Sequence, residues 1–115
     1  MEDLDTCSPH GIDEDKIRRW KAALPDMDYV VSIFKAMADE TRTSLMWLLS
    51  QDEWCVHDLA AAVGTSVSNT SHHLRILRAS RLVRTRRDGQ KVFYALDDSH
   101  VAKLLDEAFQ HSRHN

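Results

Sequence analysis

The sequence predicts a mainly α-helical protein with one β-hairpin wing: a winged helix-turn-helix that forms a homodimer through its N- and C-terminal helices. Three observations lead to the winged helix-turn-helix. Apolar residues recur at helical spacing along most of the 115 residues. Two short helical segments, "VHDLAAAVG" and "SVSNTSHHLRILRAS", are joined by the tight "GTS". Directly after them, "LVRTRR" and "KVFYAL" alternate in hydrophobicity around "DG", a strong two-residue hairpin signal.

Each element has its own justification. "DEDKIRRWKAAL" places Ile17, Trp20 and Leu24 on one face, with Asp13 as cap and Pro25 as stop. "DYVVSIFKAMA" repeats the pattern through Val30, Ile33, Phe34 and Met37. "DETRTSLMWLLS" starts at Asp39 and offers Leu45, Leu48 and Leu49 to the core. Gly64 suits the left-handed position that ends the next helix, and Ser66 suits the N-cap of the one after. In that second helix Val67, Leu74 and Leu77 form the expected buried side. A closing helix begins at Asp97 or Asp98. Residues 1–12 read as a loosely held arm and residues 13–115 as one DNA-binding and dimerisation domain. The competing architecture is an all-α protein with a chance hairpin.

Composition narrows the function. No apolar run approaches the ~18 residues of a spanning helix, and the acidic N-terminus is unlike a signal peptide. The expectation is a soluble cytoplasmic protein with no membrane partner, in which Cys7 and Cys55 are free thiols or metal ligands rather than a disulfide. The formal charge is −3, but its distribution is uneven. Residues 1–15 hold six acids and no Lys or Arg, whereas residues 66–91 hold seven Lys or Arg against the single acid Asp88. A local basic face of this kind is the footprint of phosphate contact. No phosphate loop or nucleophile–base set is present by position, so no enzymatic activity is expected.

The second helix of the helix-turn-helix presents Ser68, Asn69, Ser71, His72 and Arg75 outward. Short hydroxyl, amide and imidazole groups near a helix N-terminus can reach base edges in a major groove. Arg86, Arg87 and Lys91 flank the hairpin tip, where a wing meets backbone or minor groove. Double-stranded operator DNA is the expected partner. The bland alternative, a merely solvated polar surface, is disfavoured by the adjacent basic wing.

The closing helix carries Asp98 and His100 near its start and His111 and His114 near its end. His100 and His111 lie about 16 Å apart at 1.5 Å per residue, and zinc–nitrogen bonds are about 2 Å, so one helix cannot hold one ion with both ends. Two copies packed antiparallel can, centred near Leu104 and Leu105, with Val101, Leu104, Leu105, Ala108 and Phe109 as the seam. One carboxylate and three imidazoles suit Zn²⁺, with Co²⁺ as surrogate. C-terminal histidines are also favoured by the helix dipole alone. A second set combines "CVHD" (Cys55, His57, Asp58) with Cys7 and His10 of the arm. Thiolates admit Cd²⁺ as well as Zn²⁺. The alternative is a buried Cys55 and a free Cys7.

The chain resembles the ArsR/SmtB family of metal-sensing bacterial repressors, most like the cadmium/lead- and zinc-responsive members. The resemblance is carried by "FKAMADETR", "CVHDLA", "SVSNTSHHLRILR", "RRDGQKVFYAL" and the Asp-x-His, His-x-x-His closing helix, and it spans about residues 28–114. It implies a homodimeric repressor of metal efflux or sequestration genes that leaves DNA when metal binds. By position it assigns Ser68, Ser71 and His72 to DNA contact, and Asp98, His100, His111 and His114 to an intersubunit site. It assigns Cys7, Cys55 and either His57 or Asp58 to a site shared by arm and helix-turn-helix. The sequence departs from the cadmium-sensor pattern at His57, which stands where a second cysteine is usual, and at His10, one residue early for the arm cysteine. A set poorer in thiolate weakens the case for Pb²⁺ and favours Zn²⁺ or Cd²⁺ as inducer. A winged-helix regulator with no metal response is the main competing function.

Overall fold

The computed structural model describes residues 11–113. Helix α1 (Glu14–Ala23) starts where the Asp13 side chain accepts from the Lys16 amide at 3.0 Å. Helix α2 (Asp28–Met37) follows, and α3 (Glu40–Gln51) is capped by Asp39, which accepts from the Arg42 amide at 3.0 Å. Helices α4 (Val56–Val63) and α5 (Val67–Ala79) form the helix-turn-helix. Between them Gly64 takes φ +75°, a left-handed value that favours glycine, and Ser66 accepts from the Asn69 amide. Strands β1 (Val83–Asp88) and β2 (Lys91–Leu96) pair antiparallel, and α6 (Ser99–Arg113) closes the chain. Asp98 is the α6 cap, accepting at one carboxylate oxygen from the His100 and Val101 amides at 2.9 and 3.2 Å. Asp97 instead continues the ladder by donating to the Leu82 carbonyl.

The core lies where α3, α5 and α6 meet the base of the wing. Leu45, Met46, Leu49, Leu59, Leu74, Leu77, Leu82, Val83 and Leu105 are all buried there. Several expectations change. Val67 is 38% exposed, and Thr70 takes the inward position, four residues before Leu74 and seven before Leu77. Its hydroxyl donates to the Ser66 carbonyl at 2.8 Å, so the polar group is satisfied inside the core. Met46 is fully buried where Leu48 was expected, and Leu48 is only partly so. On α2, Ile33 and Met37 pack against the core while Val30 and Phe34 remain exposed. On α6, Val101 and Leu105 are buried in their own chain and Phe109 packs against that core. Val101 and Leu105 are therefore unavailable as a seam, leaving exposed Leu104 and Ala108 and partly exposed Phe109.

Two turns also depart from local expectation. Asp88 pairs with Lys91, so the hairpin loop is Gly89–Gln90, one residue later than "DG" suggested, with φ +63° at Gly89. Helix α5 ends with Arg81 in a left-handed conformation (φ +60°). The Leu82 amide donates to the Leu77 carbonyl and the Arg81 amide to the Arg78 carbonyl, both at 3.0 Å. This is the Schellman pattern, with an arginine where glycine is usual. Buried Leu82 and Leu77 supply the apolar contact that holds it.

Candidate nucleic-acid interface and metal ligands

Helix α5 turns Ser68, Asn69, His72 and Arg75 to solvent, while Ser71 is half-buried. Ser68, His72 and Arg75 recur at i, i+4 and i+7 and so share one stripe. The Asn69 side-chain amide donates to the Thr65 hydroxyl at 3.0 Å, which ties it to the inter-helix turn. The aim of α5 is set from behind by Arg42. Its guanidinium donates to the Ala36 carbonyl at 2.5 Å and the Lys35 carbonyl at 3.4 Å, and reaches His73 Nδ1 at 3.1 Å. A guanidinium only donates, so Nδ1 accepts and the neutral ring carries its proton on Nε2. The Arg42 amide bonded to the Asp39 carboxylate holds that acid below its ordinary 3.8, against desolvation, with the Arg42 charge adding to the effect.

In the wing, cross-strand register puts Arg86 beside Phe93 on one face and Arg87 beside Val92 on the other. The tip residues Arg87 and Lys91 are exposed. Arg86 is engaged inside the chain: its Nε and Nη2 lie 2.8 and 2.7 Å from Glu53 Oε1, and its guanidinium carbon is 4.8 Å from the Phe93 ring centre. That hydrogen bond is the main reason the Glu53 carboxyl sits below its usual range and Arg86 above its own. A further contact fastens the wing: Trp54 and Tyr94 exchange backbone hydrogen bonds at 3.1 and 2.7 Å, forming a one-residue third strand.

The metal-type residues fall in two places. Cys55 precedes α4, and its thiol donates to Asp58 at 3.3 Å, while His57 is exposed beside them. Cys7 and His10, proposed as their partners, lie outside the described residues, as does His114. On α6, Asp98 Oδ1 lies 3.6 Å from His100 Nδ1. All the Asp98 contacts fall on Oδ1, so Oδ2 is the oxygen left for another ligand. His100, Leu104 and His111 are exposed, and their spacing of four and seven residues puts them on one stripe, away from the buried Val101 and Leu105. Among the described residues of one chain, no three His, Cys, Asp or Glu side chains converge as a metal site.

Comparison with known proteins identifies the family and the fold. The family profile for "Bacterial regulatory protein, arsR family" matches residues 39–85. The chain is 41% identical over 113 residues to a cadmium resistance transcriptional regulatory protein CadC homolog of Staphylococcus aureus, covering 95% of this chain and 93% of the relative. The chain belongs to the ArsR family. A transcriptional repressor SmtB homolog of Synechocystis is 39% identical over 113 residues, covering 96% and 86% of the two chains. In structure it is similar to a homodimeric winged helix-turn-helix DNA-binding domain from Mycobacterium bovis, with TM-score 0.72, 32% identity and coverage of 81% and 84%. This ArsR-family chain is thus a winged helix-turn-helix transcription regulator whose family profile runs from the α3 cap into β1. Both relatives cover more, including the length that holds α6.

Sequence reasoning missed several residues that shape the ArsR-family DNA-binding face. Thr70 was legible in principle, since it lies on the Leu74–Leu77 stripe. Arg42, Glu53 and Trp54 carry no local signal, because each acts on an element far along the chain. Among the described residues no helix is long and apolar enough to cross a membrane.

Proposed function

We propose that this ArsR-family regulator is a homodimeric, metal-responsive repressor that binds operator DNA and releases it on binding Zn²⁺ or Cd²⁺, controlling metal efflux or sequestration genes. Pb²⁺ and Co²⁺ are further candidate inducers. Residues 13–115 form the DNA-binding and dimerisation domain, with the preceding residues as an arm. Ser68, Asn69, Ser71, His72 and Arg75 face the major groove, and Arg87 and Lys91 meet phosphates from the wing.

The observation that carries the metal reading is the exposed His100–Leu104–His111 stripe, with Asp98 beside His100. Antiparallel pairing of two α6 helices about Leu104 sets Asp98 and His100 of one copy against His111 and His114 of the other. An ion held there by Asp98 and His100 of one copy and His111 and His114 of the other would crosslink the two chains. Asp98 then holds a helix cap and a ligand at once, so α6 enters the site with a defined start. The two α5 helices fit successive major grooves only at a separation near 34 Å. A dimer held at another separation binds DNA less well, and DNA opposes metal binding by the same factor. A hundredfold loss of affinity requires about 2.7 kcal/mol of coupling. The relatives' names, cadmium resistance regulator and SmtB repressor, support the same reading.

The test is anisotropy of a labelled operator duplex titrated with Zn²⁺, Cd²⁺ and Pb²⁺ at fixed salt. His111→Ala should abolish release by Zn²⁺ with metal-free binding nearly intact, and Cys55→Ser should reduce the response to Cd²⁺. Zinc release surviving in the His111 variant but lost in the Cys55 variant would make the Cys55, His57 and Asp58 set, with Cys7 and His10, the regulatory one. Affinity indifferent to every metal would leave a metal-blind regulator.

A further inference from the structure

Arg86 lies within a basic stretch near the wing tip, where an arginine is read as a phosphate ligand. The structure gives it other work. Both donors on one side of its guanidinium meet a single Glu53 oxygen, at 2.8 and 2.7 Å, and Phe93, its cross-strand neighbour, lies 4.8 Å beneath. Glu53 belongs to the short connection between α3 and α4 and is followed by Trp54, whose backbone pairs with Tyr94. The connection therefore holds β2 through the backbone and β1 through one side-chain pair.

We propose that Glu53 and Arg86 are positioning residues that set the angle of the wing against the helix-turn-helix, and that Arg86 does not contact DNA phosphate. Register supports this. Arg87 projects from the opposite face of β1, one residue nearer the tip, and makes no hydrogen bond or ion pair with another described residue. A two-stranded ribbon twists readily; its base is anchored by buried Val83 and by Tyr94 and Leu96 against the core, and among the described residues the other hydrogen-bonded tie to the α3–α4 connection is the one-residue Trp54–Tyr94 bridge. Losing the pair lets the outer part of the ribbon twist beyond that anchored base, which moves Arg87 and Lys91 relative to α5. A wing set at one angle favours DNA that α5 reads correctly, so the pair contributes to operator preference.

The two possible roles of Arg86 differ in sign. If Arg86 reached phosphate, Glu53 would compete with DNA, and Glu53→Gln would strengthen binding. If the pair positions the wing, Glu53→Gln weakens operator binding even though it removes a negative charge near DNA.

The experiment uses metal-free full-length protein and two labelled duplexes: one selected by the wild-type protein from a random pool, the other of random sequence. Affinity is measured across a salt series for Glu53→Gln, Arg86→Gln, the double variant, the swap Glu53→Arg with Arg86→Glu, and Arg87→Gln. Glu53→Gln and Arg86→Gln should each weaken the selected duplex by about three- to fivefold, the scale of an exposed ion pair. The double variant should be no worse than either single, the swap should recover part of the loss, and the salt slope should stay at the wild-type value. Arg87→Gln should instead lower the slope by about 1 on both duplexes. Stronger binding by Glu53→Gln, a slope lowered by about 1 in Arg86→Gln, additive single effects or no effect at all would each overturn the proposal. Thermal melts of the variants separate these outcomes from misfolding.

Discussion

Residues 39–96 and helix α1 solve the burial problem in opposite ways. The first region encloses Leu45, Leu59, Leu74 and Leu77 almost completely and packs three helices against the wing. Helix α1 has a good cap and an apolar face, yet buries none of its residues and packs against no other described element. Ile17, Trp20 and Leu24 are 44%, 59% and 63% exposed, and the molecule is drawn out to 67 Å by 33 by 23 Å. An isolated ten-residue helix is marginal in water, and no other described element of the chain covers this one. The helix-turn-helix and wing share one core with α2 and α6, whereas the first helix leaves its apolar face open. In the proposed dimer a second copy covers that face.

The comparison breaks most visibly through the core. Leu74→Ala removes a residue 1% exposed between the recognition helix and α3, and should cost about 2–5 kcal/mol in urea unfolding. Trp20→Ala should weaken self-association by at least about tenfold in sedimentation while leaving protomer stability within about 0.5 kcal/mol. A loss of stability in the isolated protomer as large as that of Leu74→Ala would show α1 to be part of the protomer core.

Smaller changes sharpen the contrast within the first region. Ser66→Ala removes the side-chain acceptor for the Asn69 amide and should cost about 1 kcal/mol, measured by thermal melting. The smallest effect concerns Asp39, whose folded carboxyl titrates below its ordinary 3.8. A depressed folded value contributes stability above the unfolded value, and that contribution is lost as pH falls through the folded one. Asp39→Asn keeps a cap acceptor but cannot ionise. Wild type should therefore exceed the variant in stability at neutral pH, and the gap should close in urea melts below about pH 4. A gap that stayed constant to lower pH would assign the stabilisation to hydrogen-bond geometry rather than charge.

Helix positions, the caps at Asp13, Asp39 and Ser66, the left-handed Gly64 and the presence of a hairpin were legible because each signal lies within a few residues. The exposure of His100 and His111 on α6, and of Ser68, Asn69, His72 and Arg75 on α5, was legible for the same reason, since helical periodicity puts them on stripes, whereas Ser71 is half-buried. Packing decided which side of a broad apolar stripe is claimed by the chain itself. On α6 it took Val101 and Leu105 inward and left His100, Leu104 and His111 outside. It also drew Thr70 into the core, held Arg81 left-handed over a buried Leu82, and gave Arg86 to a glutamate 33 residues away. Local chemistry determines where a helix begins and which residues share its faces. Which face meets the core, and which charge finds which partner, depends on elements distant in sequence, and only the folded chain brings those together.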